Sequence, residues 1–106
     1  MNIKNWLKQH TKDLTNKTIA ITGSTGELAK QIVKVFATLN ANFIFINRSI
    51  EKTKQQIKDL KEIYPNINIE FIECDLANFT SVKNATEMLN EKQFDFLYLC
   101  CFHYVY

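Results

Sequence analysis

The sequence predicts an α/β domain built on a doubly wound parallel sheet. Three observations predict it. From Thr18 onward, short apolar runs rich in β-branched residues alternate with segments of helical periodicity. The connections between them are short, as strand–helix–strand units require. Both glycines of the chain, Gly23 and Gly26, fall between the first run and the first helix.

Thr18-Ile19-Ala20-Ile21-Thr22 reads as a buried strand, because its apolar residues are continuous rather than alternating. Gly23-Ser24-Thr25-Gly26 is a turn. Leu28, Ile32, Val35, Phe36 and Leu39 then recur at helical spacing and predict one buried face of a helix over Thr25–Leu39. Asn42–Ile46 is a second strand. Ser49 is a fitting N-cap for a second helix, with Glu51 in its first turn, where the helix dipole favours a negative charge. Ile57, Leu60 and Tyr64 form its stripe, and Pro65-Asn66 ends it. Ile67–Cys74 is a third strand and Asp75–Ser81 a loop. Val82, Ala85 and Leu89 mark a third helix, and Phe94–Cys100 a fourth strand. Right-handed crossovers leave few arrangements, and the expected strand order is 3-2-1-4, half of a nucleotide-binding sheet. Residues 1–17 are expected to form an arm or helix packed on the domain, with Ile3, Trp6, Leu7 and Leu14 at helical spacing. Residues 18–106 are expected to form the domain itself.

The chain's 106 residues allow one small domain. Its net charge of +2 is too small to imply a nucleic-acid partner. Lys52, Lys54, Lys58 and Lys61 read as a solvated helix face without interleaved aromatics. No apolar run reaches the ~20 residues that cross a bilayer. Three cysteines and no secretory signal predict reduced thiols and a cytoplasmic protein. Cys100-Cys101-x-His103 does not read as a metal site, because adjacent strand residues point to opposite faces. His10 has no nucleophile to pair with.

The chemical signal is Thr22-Gly23-Ser24-Thr25-Gly26-Glu27-Leu28-Ala29. A glycine at its first position can turn sharply, and one at its second lets backbone N–H groups approach a diphosphate. Ala29 is small enough for helix and strand to pack closely, and the helix N-terminus adds unpaired donors. Glu27 must point away from any phosphate.

These residues resemble the short-chain dehydrogenase/reductase family over Asn16–Leu97. Thr-Gly-x-x-Gly-x-x-Ala is similar to its glycine motif, with the spacing of its extended branch. Asn47-Arg48-Ser49-Ile50-Glu51-Lys52 resembles the segment that follows its second strand. Cys74-Asp75-Leu76-Ala77, followed by Ser81-Val82, resembles its Asp-Leu motif, and Phe94-Asp95-Phe96-Leu97 the start of its fourth strand. The resemblance implies a Rossmann-like fold and a nicotinamide dinucleotide held by Thr22, Gly23, Ser24, Thr25, Gly26, Glu27, Leu28, Asn47, Arg48, Ser49, Asp75 and Leu76. Asp75 would accept from the adenine amino group. No Asp or Glu lies between Asn40 and Ile50, where a carboxylate would bind the ribose 2′-hydroxyl of NAD. The sole Arg of the chain, Arg48, stands there instead, and its planar fork suits a phosphate. NADP(H) is therefore expected in preference to NAD(H), with Arg48 and Ser49 on the 2′-phosphate.

The resemblance fails towards the end. Leu99-Cys100-Cys101-Phe102 stands where the family has Asn-Asn-Ala-Gly. No Tyr is followed four residues later by Lys, so the family's catalytic pair is absent and no catalytic residue is assigned. The apolar run Phe96–Tyr106 would leave a fourth-strand edge open to self-association. The expectation is a truncated or frame-shifted cofactor-binding part of a short-chain oxidoreductase, inactive alone, whose parent transfers hydride between NADP(H) and a carbonyl or alcohol. Two other readings stand beside it: a non-catalytic nucleotide-binding module, and an extended-type sugar-nucleotide epimerase or dehydratase.

Overall fold

The computed structural model describes residues 13–98. Seven elements alternate in the predicted order: β1 (Thr18–Thr22), α1 (Glu27–Thr38), β2 (Asn42–Asn47), α2 (Ile50–Ile63), β3 (Ile69–Glu73), α3 (Phe79–Asn90) and β4 (Phe96–Tyr98). The strands form one parallel sheet in the order β3-β2-β1-β4. Ala20 of β1 lies beside Ile44 of β2 and Leu97 of β4. Phe45 of β2 lies beside Phe71 of β3.

Side chains alternate across each strand, so one sheet builds two cores. Ile19, Ile21, Phe43 and Phe45 point to one face, where Ala29, Val33 and Ala37 of α1 and Leu60 of α2 cover them. The Phe43 and Phe45 ring centroids are 5.4 Å apart. Ala20, Ile44, Ile46 and Ile72 point to the other face, against Ala85 of α3. Each fully buried Ile or Phe stabilises the fold by ~1.5–3 kcal/mol relative to exposure. Helices on both faces are what double winding means.

The α1 stripe differs from expectation at its first member. Leu28 is 71% exposed, and the small residues Ala29, Val33 and Ala37 are buried instead. The spacing that links Leu28 to Ile32 and Val35 is helical, but the axis of contact is rotated towards the alanines. Small side chains let the helix approach the sheet closely. Element ends also move. α1 begins at Glu27, β3 begins at Ile69, and α3 begins at Phe79 because the Asn78 side chain caps it by accepting from Ser81 N–H.

Leu14 of the expected arm packs on the first core, and its N–H donates to the Leu39 carbonyl at 2.8 Å. Residues 1–12 of that arm, with Ile3, Trp6, Leu7 and His10, lie outside the described residues, as do Cys100, Cys101 and His103. The start of β4 is pinned to β1: Thr18 N–H donates to the Asp95 carboxylate at 2.9 Å, and Asp95 N–H to the Thr18 carbonyl at 2.8 Å. Phe96 and Leu97 are exposed. No helix among the described residues is long and apolar enough to cross a membrane.

Candidate functional site

The C-terminal ends of β1, β2 and β3 converge at one edge of the sheet, and there the chain makes two turns of different character. After Thr22 the backbone bends at Gly23, whose φ of 64° lies in the left-handed region that glycine adopts without a Cβ penalty. Gly23 N–H donates to the Ile46 carbonyl at 3.1 Å, which ties the bend to β2. Gly26 N–H donates back to the Gly23 carbonyl at 3.1 Å and closes the turn.

Gly26 is the N-cap of α1 and offers no side-chain cap, whereas Ser49 caps α2 by accepting from Lys52 N–H and Asn78 caps α3. The backbone N–H groups of Thr25, Glu27, Leu28 and Ala29 accordingly have no hydrogen-bond acceptor among the described residues. The end of the helix dipole adds a partial positive charge at the same place. Donors and partial charge together are the features that could hold an anion at the mouth of the turn. Glu27 and Leu28 are exposed beside it, so the Glu27 carboxylate is free to turn into water.

Ser24 behaves differently from its neighbours. It is 0% exposed, and all its polar atoms are engaged inside the protein. Its N–H donates to Asn47 Oδ1 at 2.9 Å, and its Oγ donates to Gln56 Oε1 at 2.8 Å while accepting from Asn47 Nδ2 at 2.7 Å. Its carbonyl accepts from Gln56 Nε2 at 2.8 Å. Asn47 Nδ2 also donates to Thr53 Oγ1 at 2.9 Å, and Thr53 Oγ1 donates to the Ser49 carbonyl at 2.7 Å. Ser24 and Asn47, both expected at the cofactor, therefore stand behind the turn and hold it to the end of β2.

Arg48 follows β2 and is exposed. With Glu73, Asp75, Asn78, Thr80, Ser81 and Asn84 it lines an open groove of about 380 Å³. Asp75 is fixed within the groove, because its N–H donates to Ser81 Oγ and its Oδ1 accepts from Ala77 N–H, both at 2.9 Å. Asp75 Oδ2 has no donor among the described residues. Leu76 is exposed next to it. Cys74, one residue back, is buried, and burial pushes its thiol above the ordinary value of 9.0; the Ser81 hydrogen bond opposes the shift and the Asp75 charge adds to it. A second open groove, lined by residues such as Asn42, Lys61 and Asn68, lies towards the other ends of the strands, away from the glycine turn.

The structure thus gathers the predicted residues into two neighbouring parts, a turn with unpaired N–H donors and a groove holding Arg48 and Asp75. The groove also holds Glu73, a carboxylate that comes from β3 rather than from β2 and that sequence alone does not bring to Arg48, since only strand register places it opposite Asn47. Thr53 and Gln56 carry no signal in the sequence, because polar residues on a helix read as solvated.

The short chain dehydrogenase family pattern matches residues 17–99. A short-chain dehydrogenase/reductase of Armillaria gallica is 33% identical over 95 residues, covering 88% of this chain and 30% of that protein. Among solved structures, L-sorbose reductase from Gluconobacter frateurii complexed with NADPH and L-sorbose superposes with a TM-score of 0.69 at 22% identity, covering 79% of this chain and 32% of that one. A 3-oxoacyl-[acyl-carrier protein] reductase from Brucella melitensis with bound NAD superposes with a TM-score of 0.66 at 15% identity, covering 80% and 32%. The structural likenesses carry the fold, and both coenzymes occur among these neighbours. The chain spans about 30% of the length of the curated relative. With the family pattern spanning most of the chain and the sheet order as described, this chain belongs to the short-chain dehydrogenase family.

Proposed function

We propose that the chain is the dinucleotide-binding part of a short-chain oxidoreductase, and that it takes NADP(H) in preference to NAD(H). One observation carries the reading: the glycine turn with its free N–H groups and the groove holding Arg48 and Asp75 lie at the same end of one sheet, joined through the Ser24–Asn47 hydrogen bonds. The N–H groups of Thr25, Glu27 and Leu28 suit a diphosphate. Arg48 suits a 2′-phosphate, with Ser49 beside it. Asp75 keeps one oxygen for an adenine amino group. When bound, the nicotinamide ring supplies the hydride, and this chain's residues bind and orient the coenzyme. The intact protein would act between a carbonyl and an alcohol. This chain, without a Tyr–Lys pair at the family's spacing, binds without turnover. A buried free thiol at Cys74 fits a reducing compartment such as the cytoplasm.

The test is calorimetric titration of the chain with NADP⁺ and with NAD⁺, repeated on Arg48→Ala. A guanidinium–phosphate contact contributes about 1.5–3 kcal/mol, so NADP⁺ affinity falls about tenfold or more while NAD⁺ affinity changes little. Equal losses for both coenzymes would remove Arg48 from the 2′-phosphate. A folded chain that binds neither coenzyme would remove the function.

A further inference from the structure

Gln56 sits on α2 and is 9% exposed, on the side that packs against the sheet. A primary amide buried without partners costs several kcal/mol, so this position would favour an apolar residue unless both ends of the amide are used. Both are used, and on one residue. Nε2 donates to the Ser24 carbonyl and Oε1 accepts from Ser24 Oγ, each at 2.8 Å. A carbonyl oxygen can only accept, so the amide nitrogen must face it, and the orientation of the Gln56 amide is settled by chemistry.

The Ser24 carbonyl belongs to the peptide unit that carries Thr25 N–H. No peptide bond among the described residues is cis. In a planar trans unit the C=O and N–H vectors point in opposite directions. Pulling the Ser24 oxygen inward to Gln56 therefore turns Thr25 N–H outward, and that N–H is one of the donors left without an acceptor among the described residues. The same Ser24 is bonded twice to Asn47, the residue before Arg48. The clamp thus fixes the glycine turn in rotation and also in distance from the segment carrying Arg48.

We infer that Gln56 is a positioning residue for the dinucleotide: holding the Ser24 carbonyl inside the protein, it aims Thr25 N–H at the diphosphate and sets that donor in register with Arg48. This rests on the dinucleotide reading above and deepens it. Gln56 touches no coenzyme atom itself. It acts through one peptide plane.

The test uses the full 106-residue chain and two probes. NADP⁺ spans the turn and the groove, whereas adenosine 2′-monophosphate has no diphosphate and engages the groove alone. Gln56→Met keeps the side-chain length and removes both hydrogen bonds. It is expected to weaken NADP⁺ about tenfold, the worth of one misdirected N–H-to-phosphate bond, and to leave adenosine 2′-monophosphate within about twofold. Gln56→Glu keeps the bond to Ser24 Oγ and places a carboxylate against the Ser24 carbonyl. It should show the same selective loss at pH 8, and recover relative to the parent chain as pH falls and the new carboxyl gains a proton to donate. This second variant, nearly identical in volume, keeps the test open if Gln56→Met does not fold. A general loosening of the structure would weaken both probes alike and would show no such recovery, and that result overturns the inference. So does undiminished NADP⁺ binding in either folded variant. If the parent chain binds neither probe, the dinucleotide reading fails instead.

Discussion

The two glycines of the turn should respond differently to the same substitution, because the backbone needs one and the proposed diphosphate needs the other. Gly23 has a φ of 64°, where an L-residue is strained by about 1–2 kcal/mol. Gly23→Ala should lower the stability of the fold by that amount. Gly26 has a φ of −70° and a ψ of 158°, extended backbone open to any residue. A Cβ on Gly26 would lie 3.4 Å from the Gly23 carbonyl oxygen, at the edge of ordinary contact. Alanine is a poorer N-cap than glycine by roughly 0.5–1 kcal/mol, but it also removes about 0.4–1 kcal/mol of unfolded-chain entropy. These effects oppose each other, and Gly26→Ala should leave stability within about 0.5 kcal/mol of the parent. Beyond the Gly23 oxygen and its chain neighbours the new methyl meets open space, on the turn where the diphosphate is proposed to lie. It should keep a diphosphate from close approach and weaken NADP⁺ by at least about tenfold. Urea denaturation gives the first quantity and calorimetric titration the second. Parent-like binding by Gly26→Ala would refute the placement of the diphosphate. A stability loss as large as that of Gly23→Ala would refute the claim that the fold does not need this glycine.

Two further outcomes follow from caps and from burial. Ser49→Ala and Asn78→Ala each remove an acceptor from a helix N-terminus and should each cost about 1 kcal/mol by urea denaturation, with Ser49→Gly and Asn78→Gly recovering most of it. Burial raises the Cys74 thiol above 9.0, so the folded chain holds that proton after the unfolded chain releases it. Its contribution is fully present below pH 9.0 and is lost as pH rises towards the folded value, so Cys74→Ala should flatten the decline of stability between pH 8 and pH 10; an unchanged slope would mean the thiol is not held in its neutral form.

Most of the fold could be read from the sequence because its signals are local. Continuous apolar runs mark strands covered on both faces, and of the few arrangements that right-handed crossovers leave, the expected order 3-2-1-4 is the one found. The readings that failed needed information that is not local. A helical stripe gives a period, but close approach selects which residues lie against the sheet. Here it selects Ala29 and Ala37 over Leu28. The start of α3 was hidden because Phe79 is 83% exposed and adds nothing to a buried stripe, although Asn78 was available as a cap. Glu73 comes to line one groove with Arg48 only through strand register.

Gln56 and Thr53 show the same limit in its most informative form. On α2 they look like two more polar residues of a hydrophilic helix. In the fold they join Thr22, Ser24 and Asn47 as the buried polar side chains among the described residues. These five lie at the end of the sheet where β1 and β2 turn into their helices. Elsewhere the buried side chains are apolar, and their packing would be satisfied by any residues of similar volume and pattern. A domain selected only for stability has little reason to collect its costly polar burial at one edge. A domain that must present backbone donors in a fixed direction has a clear one, because only hydrogen bonds to the peptide units behind the turn can aim the N–H groups in front of it.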